Sequence, residues 1–162
     1  MKHVISALVQ NEPGVLANVA GMFASRGFNI DSLVVGRTED AKLSRMTIVV
    51  VGDERVMEQV RKQLGKIVPV VRIHDFEAVA SVQRDLMLIR VHVSSAKRPE
   101  VVDLVSLFRA RVVDVARNSL MIELAGTEEK LEAFVNLVRP YGIQELARTG
   151  VIAMQRDSRP ER

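Results

Sequence analysis

The 162-residue sequence contains no cysteine. This absence excludes disulfide scaffolds, thiolate nucleophiles and cysteine zinc sites, and it suits a reducing compartment. Long apolar runs are also missing, because the longest have the length of a strand and fall far short of the ~20 residues that span a bilayer. The amino-terminal stretch has neither the apolar core nor the cleavage site of a signal peptide. We therefore expect a cytoplasmic protein with no membrane role.

A strong excess of charge of one sign is missing as well. Lysine and arginine number 23 against 20 aspartate and glutamate, and the surplus is spread along the chain, with 10 against 8 before Glu77 and 13 against 12 from it onward. Phosphate-backbone binding needs a clustered basic stripe, so we do not expect a nucleic-acid partner. The 48% of hydrophobic residues are enough to build a core.

Catalytic signatures are absent too. The sequence has no Gly-x-Ser-x-Gly elbow, no Gly-x-Gly-x-x-Gly and no P-loop. His3, His74 and His92 lie far apart without metal-ligand spacing, so they are interpreted as structural or surface residues. The sequence predicts neither an active site nor a metal site.

Hydrophobic periodicity indicates an α+β fold. Apolar residues recur at helical spacing in four segments, and β-branched alternating stretches lie around them. Asp53 and Thr127 suit helix N-caps. The helices are predicted around residues 16–23, 56–64, 101–108 and 131–138, and the strands at 4–9, 28–35, 46–51, 68–73, 86–93, 111–116, 120–124 and 143–152.

The order of these elements is β-α-β-β-α-β, repeated once. Each half matches the ferredoxin-like motif, an antiparallel sheet with two helices on one face. We therefore predict a first domain at residues 1–76, a linker at 77–83 and a second domain at 84–162. Domains this small are marginal alone. Because the strand at residues 47–51 is apolar on both faces, we expect a second copy of the chain to cover the face that the helices leave open.

The first strand-to-helix junction is the most informative stretch. Pro13 fixes φ near the helix entry, Gly14 allows a ligand to approach the backbone, and we expect the N–H groups of Val15 and Leu16 to point out of the helix. Such an end can bind a carboxylate or a phosphate. The alternative is an ordinary capped turn.

A free amino acid is a better candidate for this junction than phosphate. The loop contributes Glu12 and no basic residue, so a dianion would be repelled. A zwitterion brings one carboxylate for the helix N–H groups and one ammonium for an oxygen, and its small apolar side chain can lie against Leu16 or Ile30. Asn29 enters the next strand beside a glycine turn, where it either hydrogen-bonds a ligand or caps its own backbone.

The connection at residues 36–45 joins two apolar strands by a polar segment longer than a tight hairpin requires. It is either a solvated turn or a contact arm for another protein. We predict a mobile arm that docks on a partner through its charged residues, Arg37, Glu39, Asp40, Lys42 and Arg45.

Seven motifs, spread over nearly the whole chain, are informative together: residues 9–16, 22–33, 43–49, 84–89, 108–110, 126–131 and 147–150. Together they resemble the ACT domain family of the acetohydroxyacid synthase (acetolactate synthase) small regulatory subunits. One departure is Asn18, where the family pattern usually has a basic residue.

The resemblance implies a regulatory subunit of a transferase, without catalysis of its own, in branched-chain amino-acid biosynthesis. It would activate the thiamine-diphosphate-dependent large subunit and confer feedback inhibition by valine. Cofactors are then expected only in the large subunit, namely thiamine diphosphate, magnesium and FAD. Valine would bind where the ACT domains of a homodimer meet, against Asn11, Gly14, Val15 and Leu16 of one chain and Asn29 and Ile30 of the other.

Two alternatives remain. An ACT module that senses an amino acid for a different enzyme would share the junction, although not the motif at residues 43–47 or the second domain. A small hydrolase of the acylphosphatase kind would need an arginine in the first loop, and this loop has none.

Overall fold

The computed structural model describes residues 1–157. These residues form two compact units, one made of residues 1–82 and 151–157, the other of Gln83–Gly150. The last residues of the predicted second domain, 158–162, lie outside the described residues. The fifth strand begins at Ser81, within the stretch predicted as a linker.

The β-α-β-β-α-β order predicted for the first half is confirmed. Its sheet is antiparallel with strand order β2-β3-β1-β4, so β2 and β4 are its edges. The predicted cap of the second helix is also confirmed, because the Asp53 carboxylate accepts the Val56 N–H at 2.9 Å. The elements are β1 (Lys2–Gln10), α1 (Val15–Ser25), β2 (Asn29–Arg37), β3 (Leu43–Val51), α2 (Glu54–Leu64) and β4 (Val70–Asp75).

The second half repeats this order. Its strands run β6-β7-β5-β8, and a further strand, β9, pairs with β5. Thr127 caps the last helix by accepting the Lys130 N–H, and Arg139–Tyr141 form a 3₁₀ turn after it. The elements are β5 (Ser81–His92), α3 (Arg98–Leu107), β6 (Arg111–Val115), β7 (Ser119–Gly126), α4 (Glu128–Val138), β8 (Ile143–Arg148) and β9 (Ile152–Gln155).

Each unit has its own core between helices and sheet. In the first, Phe23 of α1 and Met57 of α2 pack against the sheet through Ile5 and Ile48. The second core includes Phe134, whose ring meets Phe108 edge to face at 5.2 Å between centroids.

The prediction of one continuous strand at residues 143–152 is wrong. The chain leaves β8 after Arg148 and turns at Gly150, whose φ is +89°. The buried carboxylate of Asp85 holds the turn, because it accepts hydrogen bonds from the Thr149 hydroxyl and the Gly150 N–H, both at 3.2 Å. It also pairs with Arg148 at 2.7 Å. Burial lowers the pKa of Arg148, but hydrogen bonds to Asp85 and Glu132 outweigh burial and raise it, so the guanidinium stays charged.

The sheet face away from the helices of the first unit is less open than the sequence suggests. On that face Thr47 and Val49 of β3 are each only 2% exposed, and Phe76, which follows β4, is 6% exposed. A second copy of the chain is therefore not needed to bury these residues. The edge strand β2 remains as a reason to expect one, because an exposed edge presents unpaired backbone groups.

Candidate functional site

The junction between β1 and α1 is built around Gly14. This residue is the N-cap of α1 in the left-handed conformation, with φ +85° and ψ −12°, and no side chain caps the helix. A Cβ placed on Gly14 would meet no heavy atom within 4 Å other than those of its chain neighbours, so the space beside the backbone is open. The amino end of α1 is therefore accessible to a ligand.

The N–H groups available at this end are only partly the predicted ones, which were those of Val15 and Leu16. The Val15 N–H makes a long hydrogen bond to the Glu12 carbonyl at 3.5 Å, so it is partly engaged in the turn. Within the described part of the chain, the N–H groups of Leu16 and Ala17 have no partner. Ala17 was missed by the sequence reasoning, although the first-turn position itself is the signal. The available pair is thus Leu16 and Ala17.

The side chains around the junction divide into buried and exposed ones. Val15 is only 4% exposed and packs into the core, so it can offer a ligand its backbone but not its side chain. Leu16 is 45% exposed and can contact an apolar group. Glu12 is exposed beside them, and no basic residue lies in residues 11–14.

Asn11 connects this junction to the loop between β2 and β3. Its side-chain Nδ2 donates to the Ala41 carbonyl at 3.0 Å, and its backbone N–H donates to the Lys42 carbonyl at 2.7 Å. The Oδ1 atom remains able to accept from a ligand. The sequence singled out Asn11 and the loop separately and did not indicate this contact between them.

Asn29 and Ile30 lie at the start of β2, which follows the carboxyl end of α1. Asn29 is exposed, whereas Ile30 is half-buried against the core. A bulge at Asp31 interrupts the register with β3, and Asp31 pairs with Lys2 at 2.9 Å. Because the 11-residue α1 is about 16 Å long, one chain does not bring these two residues to the Gly14 junction.

The connection at residues 36–45 is shorter and more structured than predicted. Only residues 38–42 lie outside the strands, and hydrogen bonds within the loop hold them: the Asp40 carboxylate accepts the Lys42 N–H at 2.9 Å, and the Thr38 N–H donates to the Leu43 carbonyl at 3.1 Å. These hydrogen bonds order the connection, and its role as an arm that docks on a partner stays a prediction. Arg37 lies at the end of β2, and the exposed Glu39 and Lys42 lie in the loop.

Arg45, also predicted as a partner contact, lies in β3 rather than in the loop. Its Nη1 donates to the hydroxyl of Ser6 on the neighbouring strand at 3.0 Å. The side chain is thus placed over the face of the first sheet that points away from the helices.

Other chemistries find little support in the described residues. No group of three or more histidine, aspartate or glutamate residues among residues 1–157 could hold a metal ion. His3 is buried, with its ring 3.2 Å from the Gly52 carbonyl and 3.3 Å from Glu77, in keeping with the structural role predicted for it. No helix within the described range is long and apolar enough to cross a membrane.

Two family models match the chain. Residues 5–72 match the AHAS small subunit-like ACT domain, and residues 84–157 match the small subunit of acetolactate synthase. The two matches fall on the two repeats of the fold.

Similar proteins match over almost the full length. A probable acetolactate synthase small subunit from Archaeoglobus fulgidus is 56% identical, with 98% of this chain and 99% of the relative covered. An acetolactate synthase small subunit from Mycolicibacterium smegmatis is 48% identical, with 97% of this chain and 92% of the relative covered. The crystal structure of the acetolactate synthase small subunit from Thermotoga maritima superposes with a TM-score of 0.90 at 42% identity, covering 98% of this chain and 99% of that one.

Proposed function

Because this chain belongs to the family of acetolactate synthase small subunits, we propose that it activates the thiamine-diphosphate-dependent large subunit and makes it sensitive to feedback inhibition by valine. Thiamine diphosphate, magnesium and FAD are assigned to the large subunit. The function proposed for this chain is binding and regulation.

The open amino end of α1 is the observation that carries the valine assignment. Leu16 and Ala17 present two N–H groups at the positive end of the helix dipole, where a carboxylate is stabilised. The left-handed Gly14 leaves the approach free of side-chain atoms. A free amino acid brings the matching carboxylate, and the exposed Leu16 side chain offers an apolar contact to an isopropyl group.

The second half of the proposed site comes from another copy of the chain. The edge strand β2 runs from Asn29, near the carboxyl end of α1, to Arg37, about 26 Å further along the sheet. If two β2 strands pair antiparallel about a two-fold axis, Asn29 and Ile30 of one chain face the Arg37 end of the other. That end lies on the side of the sheet edge where β1 ends and α1 begins, so both halves of the site meet in a homodimer.

The polar groups then have complementary roles. The ligand ammonium needs oxygen acceptors, and the Oδ1 atoms of Asn11 and Asn29 can supply them. The Nδ2 of Asn11 is already used by the Ala41 carbonyl, which fixes the orientation of that amide. Ile30 adds an apolar contact beside Asn29.

Asn11 also supplies a route from the ligand to the catalytic partner. We assign contact with the large subunit to the region of the β2–β3 loop, namely Arg37, Glu39, Asp40, Lys42 and Arg45. Since Asn11 donates hydrogen bonds to the carbonyls of Ala41 and Lys42 in this loop, a ligand that binds Asn11 is linked to the loop directly. Coupling free energies between two such sites are typically ~1–3 kcal/mol.

The test is co-purification with an acetolactate synthase large subunit, followed by titration of its activity with this chain. We expect a stable complex, higher acetolactate formation than by the large subunit alone, and no turnover of pyruvate by this chain alone. Valine binding without association with the large subunit would instead indicate an ACT module that serves a different enzyme.

A further inference from the structure

A cavity of about 240 Å³ lies on the face of the first sheet that points away from the helices. It belongs to the first compact unit, because Met154 and Gln155, which line it, are part of that unit. It involves none of the residues proposed for valine, and Arg45 is its one residue shared with the proposed partner contact. The lining residues are Ser6, Leu8, Arg45, Arg72, His74, Phe76, Met154 and Gln155.

The strand register places two arginines beside this cavity. Leu8 of β1 is paired with Arg45 of β3 on one side and with Arg72 of β4 on the other. Their backbones are therefore two strand spacings apart, about 9.6 Å, with both side chains on the same face. Two long guanidinium side chains can reach one ligand placed above Leu8 from this separation.

No carboxylate of residues 1–157 neutralises either arginine. Of residues 1–157, no aspartate or glutamate lines the cavity, and none forms an ion pair with Arg45 or Arg72. Arg45 is oriented by one hydrogen bond to the Ser6 hydroxyl, which leaves its other N–H donors available. Paired cations without a counter-charge in a cavity favour a ligand with more than one negative charge.

His74 also lines the cavity. It pairs with Ser6 across β4 and β1, so it lies on the same face as Arg72, one row along the strand. Its Nε2 is buried and has no hydrogen-bond partner in the described structure. Because Nε2 is closed to solvent, a ligand in the cavity does not reach it, and the His74 ring contributes to the wall of the cavity instead.

The cavity also has an apolar side. Phe76 packs edge to face on His74 at 4.7 Å between ring centroids, and Leu8 and Met154 line the space beside it. An apolar wall with a few convergent polar groups is typical of a small-molecule site. We propose that this cavity binds a small organic phosphate, with the phosphoryl group held by Arg45 and Arg72 and the organic part against Phe76 and Met154.

Isothermal titration calorimetry on the full chain tests this site, with phenyl phosphate as the probe at constant ionic strength. We expect saturable binding that persists with excess valine and in Gly14→Asp, since the two sites share no residue. Arg72→Gln and Arg45→Gln should each weaken binding at least about tenfold. Arg55→Gln, which removes the same charge from an exposed position of α2, is the matched control and should bind as the wild type does.

Inorganic phosphate and benzoate separate the contributions of the two parts of the ligand. Both should bind more weakly than phenyl phosphate, because one lacks the apolar group and the other carries a single charge. Equal binding of benzoate and phenyl phosphate, equal losses in Arg55→Gln and Arg72→Gln, or displacement by valine would each overturn the proposal. Circular dichroism of every variant establishes that it is folded. Arg72 is the safer of the two substitutions, because its side chain makes no hydrogen bond or ion pair to another residue of 1–157.

Discussion

At Gly14, a φ of +85° combines with open space beside the backbone. Replacing Gly14 with Asp places a carboxylate where the carboxylate of valine is proposed to bind. We expect valine affinity to fall by about 2–4 kcal/mol, because two like charges in a largely desolvated site repel strongly. Calorimetry with valine on the purified variant measures this loss.

Gly14→Asn is the matched control for this substitution. Asparagine has the shape of aspartate, and both tolerate the left-handed conformation better than other residues, so the two variants share the same backbone strain. Valine affinity should therefore be much higher in Gly14→Asn than in Gly14→Asp. Equal affinities in the two variants would remove the carboxylate of the ligand from this position.

The sequence indicated the residues of the junction because their signals are local. A glycine before a helical period predicts a flexible entry, and an uncapped first turn predicts available N–H groups. It did not indicate that Val15 turns its N–H toward Glu12, nor that Asn11 bonds Ala41, which lies 30 residues away. Contacts of that kind depend on how the strands are paired.

Among the elements, the β2–β3 loop offers a test that leaves the proposed valine-binding junction unchanged. Glu39→Gln combined with Lys42→Gln keeps the net charge and the backbone carbonyls that hold Asn11, while it removes two exposed charges. We expect the double variant to need several-fold more protein to activate the large subunit, since charges at the rim of an interface act mainly on association. Valine affinity of the isolated chain should be unchanged.

The pair Glu58→Gln and Lys62→Gln on α2 is the control. These exposed residues form an i,i+4 ion pair at 3.3 Å, and their replacement changes the charge in the same way. Activation curves that are shifted equally by both double variants, or by neither, would show that the loop does not contact the large subunit.

The turn between β8 and β9 permits a prediction about stability. Asp85→Asn keeps the shape of the side chain but removes the charge that faces Arg148, and it points an N–H group toward other donors. Breaking such a buried pair should cost about 3–5 kcal/mol in the free energy of unfolding, measured in urea. Glu132→Gln removes a half-exposed partner of the same arginine and should cost less than about 1 kcal/mol.

The same turn shows where element boundaries could not be predicted. The helix N-caps at Asp53 and Thr127 can be predicted from the residues next to them in the sequence, and both are confirmed. The end of β8 depends on Asp85, which precedes Gly150 by 65 residues. The hydrophobic periodicity alone therefore predicted a strand that runs through Gly150 to residue 152.

For the whole molecule, the assembly prediction concerns β2. Val35→Lys adds a charge to a residue of this edge strand that is 42% exposed, and charges on edge strands oppose pairing with another chain. We expect light scattering to report a monomer of about half the wild-type mass. Valine binding should be lost with the dimer, since the proposed site needs Asn29 of a second chain.

Val71→Lys on the opposite edge strand β4 is the control. Val71 is 57% exposed, and the substitution adds the same charge to the other edge of the same sheet. This variant should remain a dimer that binds valine. A monomeric wild-type chain that binds valine normally would contradict the shared site.

The overall architecture was predictable because hydrophobic period and element order restrict an antiparallel sheet with two helices to few topologies. Both repeats follow that order. The extent to which the first unit covers its own sheet was not predictable, since Phe76 and the segment from Val151 reach that face only through the tertiary fold. The position of Arg45 and Arg72 on either side of Leu8 likewise depends on the strand register, which the sequence alone does not give.

The central claim is that this chain transmits valine binding to the large subunit, and one measurement tests it most directly. It is the valine inhibition curve of the large subunit reconstituted with the wild-type chain or with Gly14→Asp. We predict that both complexes form acetolactate faster than the large subunit alone, and that valine inhibits only the complex with the wild-type chain. Identical inhibition of both complexes, or equal inhibition of the large subunit by itself, would contradict the account.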